Sequence, residues 1–163
     1  MDFKNKVVLI TGASSGIGKQ TAIEFAKLGS NIILVARRKD KLEQVENELK
    51  QFNVTTLICP CDVSKKDQVE IMSKTVLEKF NFVDILVNNA GFAIYGSVLD
   101  LSIEEIESQM ETNYFGMIYC TKNFLPLMLK KKSGHVVNVA SVAASFGLPG
   151  IASYCASKFA MLG

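Results

Sequence analysis

The chain has 163 residues, 48% of them hydrophobic and 21% charged, with a formal net charge of +2. That length predicts one domain able to bury a core, and that balance an ordinary globular protein. The near-neutral charge excludes a dense basic footprint for nucleic acid, and no apolar run approaches the roughly eighteen residues of a membrane span.

The opening MDFKNKVVLITG carries too short an apolar run for a signal peptide, so a cytoplasmic protein is expected. Cys59, Cys61, Cys120 and Cys155 show no pair with metal-ligand spacing, so no metal site is predicted and reduced thiols are expected.

Apolar runs then alternate with helical patterns. Residues 6–11, KVVLIT, form a continuous β-branched run, as a strand buried on both faces should. A helix follows, with Ala22, Ile23, Phe25, Ala26 and Leu28 at helical spacing and Gly29 as its stop. NIILVA (31–36) is the second strand. KDKLEQVENELKQF sets Leu42, Val45 and Leu49 on one side of an amphipathic helix. Residues 54–63 read as the third strand. The next helix opens with Ser64 and Asp67, which resembles a capping box.

Residues 83–91 give a fourth strand ending in a turn. A long helix starts at the pair Ser102 and Glu105, and Pro126 is expected to bend it. Residues 134–144 read as a fifth strand, and from about 153 another helix begins. This alternation predicts an α/β fold: a Rossmann-type, doubly wound parallel sheet with helices on both faces.

TGASSGIG (11–18) sits between the first strand and the first helix. Glycines at 12, 16 and 18 allow a sharp turn and a close approach by a ligand. The helix beyond offers unpaired N–H groups to a phosphate. The spacing departs from G-x-G-x-x-G, but the strand–turn–helix setting is that of a dinucleotide site.

About 20 residues further on, a site for the unphosphorylated cofactor would place a carboxylate on the ribose hydroxyls. This chain has Ala36, Arg37 and Arg38 there. Two guanidinium groups suit a 2′-phosphate, and Ser14 can add a hydroxyl. NADP(H) is therefore expected over NAD(H).

TGASSGIG, Asp62-Val63, NNAG at 88–91, Asn113, Ser141 and Tyr154-Cys155-Ala156-Ser157-Lys158 together resemble the short-chain dehydrogenases/reductases. The likeness runs in order from the first strand to the last residue. It implies a catalytic set of Asn113, Ser141, Tyr154 and Lys158. Spacing i, i+4 puts Tyr154 and Lys158 on one helix face. A phenol titrates near 10, and a neighbouring ammonium favours its ionised form. Tyr154 would then exchange a proton with a substrate oxygen while hydride moves at carbon. Lys158 would also hold the nicotinamide ribose, Ser141 would orient the substrate oxygen, and Asn113 would support a water between Lys158 and solvent.

The resemblance extends the cofactor site from Gly12, Ser14, Ser15, Gly16, Ile17 and Gly18 to Asp62 and Val63 beside the adenine. Asn89, Ala90 and Gly91 would pass under the adenosine ribose, and Asn88 would brace the sheet. It also implies a homodimer or homotetramer in the complete protein.

Family members continue beyond Tyr-x-x-x-Lys with further strands and a substrate-covering loop. Residues 1–163 are accordingly expected to be one NAD(P)-binding domain within a longer polypeptide. The activity expected is interconversion of a carbonyl and an alcohol. Apolar loops after Ala93 and Ser145 point to a small apolar substrate. The alternative is a non-catalytic NADP(H)-binding or scaffold protein.

Overall fold

A computed structural model describes residues 2–163. Strands β1 (Val7–Thr11), β2 (Asn31–Ala36), β3 (Thr56–Pro60), β4 (Ile85–Asn88) and β5 (His135–Asn138) form one parallel sheet, in the order β3-β2-β1-β4-β5. Between them lie helices α1 (Gly16–Lys27), α2 (Lys39–Leu49), α3 (Lys66–Phe80), α4 (Ile103–Met110) and α5 (Gly116–Lys131). Helix α6 (Ala152–Leu162) follows β5.

The period of two along each strand builds two cores. Val7, Leu9, Ile33, Val35 and Leu86 pack on Val69, Met72 and Val76 of α3 and Cys120 and Phe124 of α5. Val8, Ile10, Ile32, Leu34 and Val87 face the other way, onto Ala22 and Ala26 of α1 and the stripe Leu42, Val45 and Leu49 of α2. Both faces being covered is why these strands read as unbroken apolar runs. Each fully buried Leu or Val contributes about 1.5–3 kcal/mol.

Helix ends follow local chemistry. Gly29 N–H donates to the Ala26 carbonyl and Ser30 N–H to that of Phe25, closing α1 as a Schellman motif. Ser102 accepts from Glu105 N–H at 3.2 Å while Glu105 accepts from Ser102 N–H at 2.9 Å, the capping box expected there.

Two local expectations are corrected, and the long helix carries a feature not foreseen. Ser64 does not cap α3: its hydroxyl donates to Asp62 Oδ1 at 2.8 Å, and Lys65 takes the cap position. An aspartate two residues back wins because this Asx-type turn closes before the helix starts. Pro126 lies inside α5, which continues to Lys131, and upstream of it the hydrogen-bond register changes in a π turn at Glu111–Phe115 that the sequence did not announce. The fifth strand stops at Asn138, because Ser141 opens a short 3₁₀ turn over Val142–Ala144.

Among the described residues, no helix is long and apolar enough to cross a membrane.

Candidate active site

The strand order reverses between β1 and β4, so the segments leaving their carboxyl ends diverge and open a crevice. Thr11 holds the two segments together. Its buried Oγ1 accepts N–H bonds from Asn89 and Ala90, each at 3.0 Å. Asn89 Nδ2 returns a bond to the Thr11 carbonyl at 2.9 Å.

Glycine is required at both ends of the turn. Gly12 has φ +67°, and a Cβ there would stand 2.8 Å from Asn89 Nδ2 and 2.9 Å from Ala90 Cα. A Cβ on Gly18 would stand 2.5 Å from the Gly12 carbonyl oxygen. Gly18 therefore packs α1 beneath the turn.

The crevice is a cleft of about 460 Å³, within the usual range for small-molecule sites. Gly12, Ser14, Ser15, Gly16, Ile17, Arg37, Arg38, Asp62, Val63, Asn89, Ala90, Gly91, Tyr154 and Lys158 line it. Of the predicted residues, Gly18, Asn113 and Ser141 stand outside its wall. Ala36, Cys61, Phe92, Thr112, Val139 and Ala140 line it as well and were not foreseen. Their side chains carry no distinctive chemistry, and only the ends of the strands bring them there.

The donors suit an anionic dinucleotide. Helix α1 has no side-chain cap and no acidic residue in its first turn, so its leading N–H groups face the cleft unopposed. Arg37 and Arg38 are exposed and make no ion pair or side-chain hydrogen bond among the described residues. Asp62 lines the same cleft but forms no ion pair with them, and its Oδ1 accepts from the N–H and the hydroxyl of Ser64.

Tyr154 and Lys158 enter from α6. Lys158 is only 4% exposed, and burial lowers its pKa below the ordinary lysine value. Its Nζ donates to the Val139 carbonyl at 3.0 Å and meets Met161 Sδ at 3.4 Å. It lies 5.7 Å from the centre of the Tyr154 ring. The Tyr154 hydroxyl makes no hydrogen bond among the described residues.

Asn113 is fully buried in the π turn. Its Oδ1 accepts from Phe92 N–H at 2.9 Å, and its Nδ2 donates to the Phe92 carbonyl at 3.0 Å and to Ser157 Oγ at 2.9 Å. Ser157 in turn donates to the Tyr154 carbonyl at 2.7 Å, a link that spacing alone does not reveal. A Cβ on Gly91 would stand 2.9 Å from Asn113 Oδ1 and 3.5 Å from Lys158 Nζ, so this glycine brings the chain close to both. Ser141 Oγ accepts from Ala143 N–H at 3.1 Å, which leaves its proton free to be donated. Asn88 donates to Thr121 and Asn138, across β4 and β5.

A family model described as short chain dehydrogenase matches residues 6–163, and the chain belongs to that family. It is 41% identical over 161 residues to a Dehydrogenase/reductase SDR family protein 7-like of Anopheles gambiae. That alignment covers 96% of this chain and 51% of the relative, so the chain spans about half of that protein's length. A metagenomic short-chain oxidoreductase in complex with NADP superposes with TM-score 0.96 at 30% identity, covering 100% of this chain and 74% of that one. An NAD+-bound xylitol dehydrogenase gives TM-score 0.95 at 31% identity, covering 99% and 63%.

Proposed function

We propose that this chain is an NADP(H)-dependent oxidoreductase interconverting a carbonyl and an alcohol. The observation carrying this reading is the pair Tyr154 and Lys158 opening into the same cleft as the unpaired arginines Arg37 and Arg38. The residues fit the cofactor: the glycine turn and α1 for its phosphates, Arg37, Arg38 and Ser14 for a 2′-phosphate. Asp62 and Val63 would flank the adenine and Asn89, Ala90 and Gly91 the adenosine ribose, with Tyr154 and Lys158 at the nicotinamide ribose. Similar proteins bound to NADP and to NAD+ support a nicotinamide cofactor, and the arginines favour the phosphorylated one.

The bound dihydronicotinamide would supply a hydride to the substrate carbon, and its oxidised form would accept one. Tyr154 donates its hydroxyl proton to the carbonyl oxygen as the alcohol forms, and recovers it in the reverse direction. The Lys158 ammonium stabilises the phenolate left behind. Ser141 donates to the same substrate oxygen and orients it. The Asn113 side chain is bonded to Phe92 and Ser157, so the support it would give to a water between Lys158 and solvent would have to come from its backbone.

The substrate is read as small and apolar, because the segments 92–99 and 139–153 carry no charged residue. Residues 1–163 are read as one nucleotide-binding unit. The exposed Phe115, stacked on Tyr119, supports a homodimer or homotetramer.

NADPH binding followed by fluorescence, with turnover of apolar ketones and aldehydes, tests the reading. Tyr154→Phe should lower kcat by about 10²- to 10⁴-fold and leave NADPH affinity nearly unchanged. NADPH binding without any turnover that Tyr154→Phe alters would favour the non-catalytic reading.

A further inference from the structure

Gln109 is fully buried in the last turn of α4, beyond the cleft wall, and no step above uses it. Burying an amide is costly unless its bonds are made. Gln109 Nε2 donates to the Glu105 carbonyl at 3.1 Å, and its Oε1 accepts from Ile94 N–H at 3.0 Å. One turn later, Asn113 binds both the N–H and the carbonyl of Phe92.

The two amides thus grip alternate residues of the segment leaving β4, in reverse chain order. The spacing is physically matched. Four residues of helix rise about 6 Å, and two residues of extended chain advance about 6.6 Å. The helix side therefore presents the equivalent of a strand edge to residues 92 and 94. That segment reaches further: Gly96 N–H donates to the Gly150 carbonyl at 2.8 Å, tying it to the loop before α6.

We propose that Gln109 is a positioning residue that sets the substrate-facing wall by clamping Ile94 as Asn113 clamps Phe92. This rests on the reading of the reaction given above. Cofactor binding should be largely independent of it, because Ile94 and Gln109 stand outside the residues lining the cleft.

Amide hydrogen exchange with NADPH bound, NADPH titration, and KM and kcat for an apolar ketone test this in Gln109→Met and Gln109→Glu. The Met variant keeps the bulk and loses the acceptor. Its Ile94 amide should exchange roughly tenfold faster, the loss of one ordinary hydrogen bond. Its KM should rise severalfold with a smaller change in kcat and unchanged NADPH affinity. The Glu variant keeps an acceptor for Ile94 and should retain both Ile94 protection and KM better than Met does.

Unchanged Ile94 exchange in the Met variant would overturn the clamp. So would faster exchange spread equally over β1, or equal effects of Met and Glu, since either marks a merely structural role. If the unaltered chain reduces no ketone, the reading of the reaction fails, and the exchange pattern still decides the clamp.

Discussion

Lys158 concentrates the conflict between folding and chemistry in one side chain. Its ammonium is nearly inaccessible, bound to one carbonyl oxygen and one thioether, with no carboxylate partner. Burial lowers its pKa below the ordinary 10.5, so at neutral pH the folded state bears the full desolvation cost. As pH climbs towards 10.5, the unfolded chain holds the proton that the folded chain has released, so this group adds stability with rising pH. Three thiols act oppositely. Burial raises Cys59 to about 11 and Cys61 and Cys120 to about 12, whereas unfolding lets them ionise near 9.0. Their contribution therefore falls with pH above that value, and it does so equally in a Lys158→Met variant. Urea unfolding of the two proteins should show Lys158→Met at least as stable at pH 7, with its advantage shrinking by pH 10. Parallel curves would show that the ammonium is not held at a cost.

At the level of elements, the two serine starts make a controlled pair. Ser102 closes a complete capping box on α4, a helix of 8 residues that leads straight into the π turn holding Asn113. Ser64 precedes α3 by a similar pattern yet bonds Asp62 instead. Ser102→Ala should lower stability by about 1 kcal/mol, and Ser64→Ala by less than about 0.5 kcal/mol. Urea midpoints at constant m would measure both, and equal losses would contradict the assignment of the caps. The comparison also shows what a sequence discloses. Strands buried on two faces and a glycine turn between strand and helix are written in neighbouring residues, so β1, β2 and the turn at Gly12–Gly18 could be read directly. The π turn could not be read. Its altered register is offset by bonds from Gln109 to Ile94 and from Asn113 to Phe92 and Ser157, whose partners lie 15, 21 and 44 residues away. Thr112 escaped notice because only the folded chain brings it to the cleft, and the role of Ser157 because its partner Asn113 is 44 residues away.

For the whole molecule, the cleft gathers residues from beyond all five strands, from Arg37 past β2 to Val139 past β5. A ligand seated there contacts a surface that exists only when the sheet is assembled, so its binding is linked to global unfolding. At a free concentration 100 times Kd, that linkage is worth about 2.7 kcal/mol. For a chain of this size it corresponds to a rise in Tm of roughly 5–10 °C. NADPH should produce this rise, and NADH at equal concentration a smaller one. On the proposed reading the difference should come from Arg37 and Arg38, since charge-assisted bonds to a phosphate are worth about 1.5–3 kcal/mol each. The double variant Arg37→Ala/Arg38→Ala should therefore bring the NADPH shift down to the NADH value while leaving the NADH shift in place. It should also remove most of the salt dependence of the NADPH shift, because exposed guanidinium groups are screened by ions. Thermal unfolding of both proteins, with each cofactor at low and at moderate salt, measures all of these quantities together. Equal losses for NADPH and NADH would mean that the arginines support the cleft itself, and the proposed preference for a 2′-phosphate would lose its basis.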